Sequence, residues 1–422
     1  MSGAPAHAAV QAASAAPRLS PAFAALVLAL LLGLQPITTD LMLPALPALA
    51  ADLQAPMAPV QLTMSALILA FGLAQLVWGP VADRLGRRPV LLLGLALYVA
   101  ASVGAAHASQ VMAVVGWRAL QGAAMSAAVV CARAMVRDLY EPHEGGMVMA
   151  RALSGLGLIA IASPALGGWL TAAYGWRAAV AAMGLAAAAL GVFVALRLPE
   201  TVRQRRADAT RIGPLLRQMA ATLRHPAFRA WAALVACSYG GLFIFLAGSG
   251  FVLIGVLGLR PAPAGLVMST CSLSYIAGTL LCRRWIPRVG LAGAVCRAAR
   301  FTLAASAAMA LLAAVDPRRL GHPLLAVLAV MAPVWLYALG HGVHQPCGQA
   351  GAVGPFPHNA GVASALSGFV TALVAFAIGL WLGQALDGTV RPLAIGMGTA
   401  AGLTTLVAWT LVRRDGERLQ AR

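Results

Sequence analysis

The chain reads Gly79-Pro80-Val81-Ala82-Asp83-Arg84-Leu85-Gly86-Arg87-Arg88-Pro89 between two long apolar stretches. The glycines of this segment allow the backbone to turn tightly, and its charged side chains remain in water. A membrane span needs about 20 predominantly apolar residues. The flanking stretches, residues 59–81 and 89–106, are therefore predicted to be membrane spans. The segment between them is predicted to form a polar turn at one membrane surface.

The composition extends this prediction to the whole protein. Of its 422 residues, 61% are hydrophobic and 10% are charged, and the mean hydropathy is +0.84. These values exclude a water-soluble domain and indicate a polytopic membrane protein. A formal charge of +18 would suggest nucleic-acid binding in a soluble protein, but here arginines separate apolar segments and lysine is absent. We expect no nucleic-acid partner.

The apolar segments predict an all-α membrane protein with twelve spans. Because twelve is even, both termini lie on one side of the membrane. Predicted helices 1 to 12 cover residues 21–43, 59–81, 89–106, 110–137, 146–172, 176–197, 227–256, 263–282, 291–314, 323–344, 360–385 and 391–412.

The arginines predict the orientation of these spans. Most of the 30 basic residues lie at the termini or at connections on the same side, and Arg118 lies inside a span. Cytoplasmic connections of membrane proteins carry an excess of positive charge. We therefore expect both termini to be cytoplasmic. The arginines at the opposite connections are Arg177, Arg260, Arg318, Arg319 and Arg391.

A long basic connection divides the predicted helices into six and six. This division is typical of two-lobed secondary transporters. The connection carries Arg203, Arg205, Arg206, Arg211, Arg217 and Arg224. The predicted parts are an N-terminal tail (1–20), a first lobe (21–197), a cytoplasmic linker (198–226), a second lobe (227–412) and a C-terminal tail (413–422).

Asp40 is the one acidic residue, among twelve, that lies inside a predicted span. A carboxylate in hydrocarbon costs several kcal/mol unless it is protonated or paired, so an intramembrane acid indicates a functional site. We predict that Asp40 is a proton-coupling residue. At 1.5 Å per residue, Asp40 lies about 6 Å and Arg118 about 12 Å below the outer surface, a difference that the Arg118 side chain could bridge.

Arg118 and Gln121 are three residues apart in predicted helix 4 and share a helix face. A buried arginine must meet an acid, carbonyl groups or water. One interpretation is that Arg118 and Gln121 adjust proton binding at Asp40. The other is a structural arginine bonded to backbone carbonyls, and the sequence leaves both open.

Three further stretches accompany the segment at residues 79–89: Thr38-Thr39-Asp40-Leu41-Met42-Leu43-Pro44-Ala45-Leu46-Pro47, Gln75-Leu76-Val77-Trp78, and residues 356–368. The segment resembles the G-x-x-x-D-R-x-G-R-R signature of the major facilitator superfamily at every defining position. Together the stretches resemble the Bcr/CflA drug-resistance family of that superfamily over nearly the whole chain. Leu41 and Met42 depart from the family pattern T-D-M-Y-L-P, so a substrate contact by that tyrosine is not carried over.

The resemblance implies the major facilitator fold and a transport function. Members of the family export bicyclomycin, chloramphenicol-type compounds and similar drugs in exchange for protons by alternating access. Proton-symporting import of a small nutrient is the alternative. We expect a monomeric multi-pass protein of the bacterial inner membrane, powered by the proton gradient, without a cofactor or enzymatic activity.

The resemblance also implies a latch that closes the inner side. Asp83 would lie against the start of helix 11, near residues 359–363, with an arginine of helix 4 completing a charge cluster. The predicted latch residues are Gly79, Asp83, Arg84, Gly86, Arg87, Arg88, Arg133 and Arg137.

Helix 5 resembles the superfamily's antiporter signature, with Ser163 where glycine usually precedes the proline. Its proline kinks the span and its glycines admit a neighbouring helix. The signature residues are Gly157, Pro164, Gly167 and Gly168.

Four residues are predicted to line a substrate cavity: Thr39, Gln75, Tyr239 and Phe243. Packing is the alternative for the two aromatic side chains. His341 and His344 lack a third ligand at helical spacing, so no metal site is predicted.

Overall fold

The structure, a computed structural model, describes residues 19–202, 205 and 212–416. These residues form helices and short connections, with no β-strand among them. Twelve long helices, α1 to α12, make up the architecture, which confirms the predicted all-α class. They cover Pro21–Asp40, Met57–Leu85, Arg87–His107, Val111–Leu139, Pro142–Tyr174, Trp176–Arg197, Pro226–Gly250, 261–289, 291–314, Pro323–Val353, Ala360–Ala385 and Arg391–Val407.

Helices α8 and α9 form one helical run, Pro261–Ala314, that is broken at Gly290. Gly290 has a φ of 69°, a backbone conformation that glycine adopts without steric cost. Counted as one, this run is among 11 helices of the described chain that are long and apolar enough to cross a membrane. The break at Gly290 divides it into two crossings, which gives twelve.

The helices pack as two lobes of six. In the first lobe, α4 packs against α2 and α3, α6 against α3, and α5 against α1. In the second, α7 packs against α10, α11 and α12. The lobes meet where α2 contacts α11 and where α5 contacts the run that contains α8. We call the end of the lobes that carries the linker the inner end, and the opposite end the outer end.

Small residues bring the helices of each lobe together. A Cβ atom on Gly122 of α4 would overlap the Leu67 carbonyl of α2, and one on Gly278 of α8 would overlap the Leu339 carbonyl of α10. Burial of apolar surface gives little driving force between helices in lipid, so close backbone packing stabilises them instead.

The first span is longer than predicted. After α1 the chain continues as a 3-10 turn, Leu43–Ala45, and a helix, Leu46–Asp52, so that Pro21–Asp52 forms one candidate span. Asp52 is exposed and pairs with Arg177 at the outer end. At 1.5 Å per residue, Asp40 lies about 18 Å below Asp52. The predicted depth of about 6 Å is wrong, because the prolines after Asp40 begin a new helical segment instead of ending the span.

Helix α10 also continues beyond its predicted end at residue 344, passes through Pro346 and reaches Val353. Gly351 of this extension lies so close to Trp231 of α7 that a Cβ atom would overlap the indole ring. Contact with a neighbouring helix carries α10 past the proline.

The predicted linker, residues 198–226, contains a helix that was not expected from its basic composition. This linker helix, Ile212–Arg224, exposes Arg217 and Arg224. Residues 1–18 and 417–422 of the predicted tails, and Arg203, Arg206 and Arg211 of the linker, lie outside the described residues.

Candidate functional site

Asp40 lies where the first lobe faces the second. Its side chain is partly exposed, at the last residue of α1. The carboxyl group is close enough to Tyr239 of α7 and Cys271 of α8 to interact electrostatically with both. Because α7 and α8 belong to the second lobe, Asp40 faces the interface between the lobes and not the lipid.

The Thr39 hydroxyl is the direct partner of this carboxyl. Thr39 Oγ1 lies 2.6 Å from Asp40 Oδ1 and 3.1 Å from the Gln35 carbonyl oxygen. A hydroxyl group has one proton to donate and can also accept. Thr39 can therefore donate to an ionised Asp40, or donate to Gln35 while it accepts from a protonated Asp40.

Arg118 of α4 is fully buried and has no acidic partner among the described residues. Its Nη1 donates to Gln121 Oε1 over 2.5 Å, and its Nη2 donates to the Thr38 carbonyl oxygen over 3.0 Å. The sulfur atoms of Met183 and Met64 lie 3.7 Å and 3.4 Å from the guanidinium. A carbonyl, an amide and two thioethers thus surround this cation.

A chain of hydrogen bonds extends from Arg118 to α3. Gln121 Nε2 donates to Ser102 Oγ over 2.8 Å, and Ser102 Oγ donates to the Tyr98 carbonyl. The side chain of the same Tyr98 links back to α1, because its hydroxyl lies 2.6 Å from Thr38 Oγ1. Arg118 and its partners therefore hold helices α1, α2, α3, α4 and α6 together.

Arg118 and Asp40 are not directly bonded among the described residues. Arg118 reaches the backbone of Thr38, two residues before Asp40, and no ion pair joins Arg118 to Asp40 in the described chain. The geometry matches the structural interpretation that the sequence left open. Arg118 contacts the end of α1 through the Thr38 carbonyl.

Helix α5 packs closely against both lobes. Leu41 is the residue after Asp40, and a Cβ atom on Gly167 would overlap its carbonyl. A Cβ atom on Gly168 would overlap the carbonyl of Pro261 at the start of α8. In return, a Cβ atom on Gly265 of α8 would overlap the Pro164 carbonyl. The glycines of α5 therefore touch the segment that follows Asp40 on one side and the second lobe on the other.

The segment quoted first is mostly helical. Helix α2 continues to Leu85, and only Gly86, with a φ of 108°, separates it from α3. Asp83 pairs with Arg87 at 2.6 Å, and Arg87 Nε donates to Asp138 of α4 over 3.0 Å. This triad joins α2, α3 and α4 within the first lobe.

Glu200 is a member of the same inner cluster that sequence reasoning missed. Its carboxylate accepts hydrogen bonds from the backbone N–H groups of Arg87 and Arg88, at 2.9 Å and 3.2 Å. It thereby caps the N-terminus of α3, where a negative charge is favoured. A Cβ atom on Gly86 would overlap the Glu200 carboxylate, which is a second reason for glycine at this position.

The predicted latch needs a correction. Asp83 pairs with Arg87, and no hydrogen bond or ion pair joins it to the start of α11 among the described residues. The contact between lobes at the inner end comes from Arg133, whose Nη1 donates to Ser364 Oγ of α11 over 3.1 Å. Arg84 and Arg137 are exposed, Arg88 donates to the Ala195 carbonyl, and Gly79 lies near Val130 of α4.

Two of the four predicted cavity residues are buried between helices. Phe243 is fully buried against Gly379 of α11, and Gln75 is buried against Gly368 of α11. Both side chains pack at contacts with α11. Thr39 and the half-buried Tyr239 lie at the Asp40 site, and the ring of Tyr239 stacks on Phe243 at 6.5 Å between centroids.

Comparison with known proteins gives the same family along most of the chain. A profile of the Major Facilitator Superfamily matches residues 28–380. A chloramphenicol resistance protein of Pseudomonas aeruginosa is 31% identical over 328 residues, which cover 78% of this chain and 75% of that protein. A bicyclomycin resistance protein homolog of Haemophilus influenzae is 25% identical over 400 residues, which cover 92% and 96%.

The fold is similar to the inward-open conformation of the xylose transporter XylE from E. coli. The TM-score is 0.71, and the likeness covers 94% of this chain and 98% of that chain. At 15% sequence identity, this likeness concerns the fold alone. The profile and the two relatives confirm the resemblance inferred from the sequence motifs. The chain belongs to the Major Facilitator Superfamily, in its Bcr/CflA drug-resistance branch.

Proposed function

We propose that this protein exports drug-like small molecules in exchange for protons, and that Asp40 carries the proton. The position of Asp40 supports this proposal most directly. The other acids of the described chain lie at helix ends or in connections, whereas Asp40 lies within a span and between the lobes. Coupling sites of two-lobed transporters lie near the bilayer midplane at the junction of the repeats.

Thr39 gives both protonation states of Asp40 a hydrogen bond. The ionised carboxylate accepts from the Thr39 hydroxyl. The protonated carboxyl donates to the same oxygen, and the Thr39 proton turns to the Gln35 carbonyl, which is 3.1 Å away. Asp40 can thus exchange its proton without leaving a buried polar group unpaired.

Antiport follows when the substrate and the proton compete for this site. A substrate bound against Asp40 and Tyr239 would favour release of the proton, and reprotonation from the other side would release the substrate. The drug-resistance names of the relatives support drug-like compounds as the substrate class. Arg118 and Gln121 serve as positioning residues, because they hold the end of α1 through Thr38.

The contacts between the lobes fit a rocking motion. Three side-chain hydrogen bonds cross between the lobes in the described chain: Gln61 to the Ala247 carbonyl, Ser272 to the Ala160 carbonyl, and Arg133 to Ser364. Such a small number of polar links can be broken in each cycle.

The excess of arginine at the inner end supports cytoplasmic termini in a bacterial inner membrane. We propose that the monomer is the working unit and that it needs no cofactor.

The test compares wild type, Asp40→Asn and Asp387→Asn in a drug-sensitive host and in vesicles. Asp387 is an exposed acid in the connection between α11 and α12, so its variant controls for the loss of one acid. We expect wild type and Asp387→Asn to raise resistance and to release protons when substrate is added. Asp40→Asn should do neither.

Undiminished proton exchange in a folded Asp40→Asn protein would overturn the assignment of Asp40. The direction of transport is a separate readout. Uptake of labelled drug into everted vesicles that are acidified inside indicates export, and uptake into right-side-out vesicles that are acidic outside indicates the importing alternative.

A further inference from the structure

A pocket at the inner end of the second lobe plays no part in the proposed transport mechanism. It has a volume of about 360 Å³ and is lined by Cys296, Arg297, Arg300, Trp409 and Arg413. The first three belong to α9, and the last two follow α12. Trp409 Nε1 donates to the Cys296 carbonyl over 3.0 Å, which fixes the indole ring as one wall of the pocket.

Three guanidinium groups give this pocket a strong positive charge. Arg297, Arg300 and Arg413 are all exposed, and no acid of the described residues pairs with any of them. The acid near the end of α12, Asp415, accepts from Arg414. Three cations with no countercharge among residues 19–202, 205 and 212–416 attract an anion. Guanidinium groups bind phosphate oxygens through paired hydrogen bonds.

The pocket lies where the lipid-facing surface of the second lobe changes from apolar to basic, near the inner end. Leu303, three residues after Arg300, is 47% exposed, and Leu406, three residues before Trp409, is 57% exposed. Exposed leucines on a membrane span face lipid chains, and tryptophan is enriched at the boundary between lipid and water. A ligand at this level would meet cations at one end and leucine side chains at the other.

We propose that this pocket binds the phosphate of an anionic phospholipid in the leaflet next to the inner end, with acyl chains against Leu303 and Leu406. Basic pockets between membrane helices on the cytoplasmic side bind anionic headgroups in this way. Free phosphate shares the chemistry of the headgroup but would make no use of the leucines.

The test measures how much phosphatidylglycerol remains bound to the purified full-length protein by native mass spectrometry. The variants are Arg297→Gln/Arg300→Gln and a matched control, Arg217→Gln/Arg224→Gln, which removes two exposed charges from the linker helix. Each arginine near an anionic surface contributes roughly a factor of five, so the pocket variant should bind phosphatidylglycerol about 25-fold more weakly. The control should bind like wild type.

Two further measurements distinguish the ligand sources. Phosphatidylcholine, offered in place of phosphatidylglycerol, should bind little to the protein. An excess of inorganic phosphate should likewise bind little and should displace little phosphatidylglycerol. Equal losses in the pocket variant and the control would overturn the proposal in favour of general surface charge. Full displacement by inorganic phosphate would overturn the lipid as ligand, and so would unchanged binding in the pocket variant.

Discussion

Asp40 and Thr39 share one short hydrogen bond. Two substitutions of Thr39 can distinguish the effect of losing this hydrogen bond from the effect of changing the volume of the Thr39 side chain. Thr39→Val keeps the shape of the side chain but removes the hydroxyl, whereas Thr39→Ser keeps the hydroxyl. A hydrogen bond to a charged group is worth roughly 1.5–3 kcal/mol, so we expect Thr39→Val to lower the rate of proton-coupled exchange about tenfold or more. Thr39→Ser should retain most of that rate. Substrate-induced proton release measures both, and equal rates for the two variants would exclude the hydroxyl from proton exchange.

Arg118 allows a different test at the residue scale. Arg118→Met and Gln121→Met each leave buried polar partners unpaired, at a cost of about 1–3 kcal/mol per group. Because the two side chains bond each other at 2.5 Å, the double variant should lose less stability than the two single variants together. Unfolding in detergent measures this coupling, with Arg391→Met at an exposed helix start as the control. Additive losses would mean that the two residues act independently.

The sequence revealed these residues but not their partners. A charge in an apolar run is visible along the chain, which is why Asp40 and Arg118 could be singled out. Their surroundings depend on contacts across the fold: Arg118 bonds the carbonyl of Thr38, which carries no sequence signal, and Ser102 and Tyr98 look like ordinary span residues. The position of Asp40 could not be derived because the continuation of the first span beyond Pro44 depends on packing.

At the scale of helices, the contact between α5 and α8 depends on the absence of side chains. Gly168→Ala would place a methyl group against the Pro261 carbonyl, so the two helices must move apart at a cost of about 1–3 kcal/mol. We expect at least a fivefold fall in the initial rate of transport, consistent with that cost. Gly146→Ala, on the same helix but facing open space, is the matched control. If both variants transport at the wild-type rate, close contact of α5 with α8 is not required.

The start of α3 depends on a residue from the beginning of the linker. Glu200→Ala removes the acceptor for the N–H groups of Arg87 and Arg88 and should lower the free energy of unfolding by about 1–2 kcal/mol. Glu141→Ala is the control, because Glu141 precedes α5 without a side-chain hydrogen bond to it. Thermal unfolding in detergent compares the two, and equal losses would mean that the cap contributes nothing specific.

The helix boundaries illustrate what the chain alone could predict at this scale. Most ends lie within a few residues of the prediction, because Gly, Pro and Arg interrupt the apolar runs. The predicted end of α10 at residue 344 was wrong, because the helix passes Pro346 and its extension packs through Gly351 against Trp231. The expected partner of Asp83 was wrong for a similar reason: Asp83 pairs with its neighbour Arg87, and the hydrogen bond to the start of α11 comes from Arg133, another of the predicted latch residues.

In the whole molecule, the two lobes are linked by polar contacts near both ends, and alternating access requires that these ends open in turn. Gln61 links the lobes near the outer end, where its Nε2 donates to the Ala247 carbonyl over 2.8 Å. Arg133 links them near the inner end through Ser364. Removal of one link should therefore favour opening at that end only.

Gln61→Leu and Arg133→Leu should consequently lower protection from hydrogen exchange at opposite ends of the molecule. The loss of a neutral hydrogen bond corresponds to about 0.5–1.5 kcal/mol and of a charged one to about 1.5–3 kcal/mol, so we expect protection to fall roughly threefold to tenfold or more. With Gln61→Leu the loss should appear in the outer segments, residues 46–60 and 251–260. With Arg133→Leu it should appear at the end of α4 and the start of α11. Each variant is the control for the other, and the same regional pattern in both would argue against two gates that open separately.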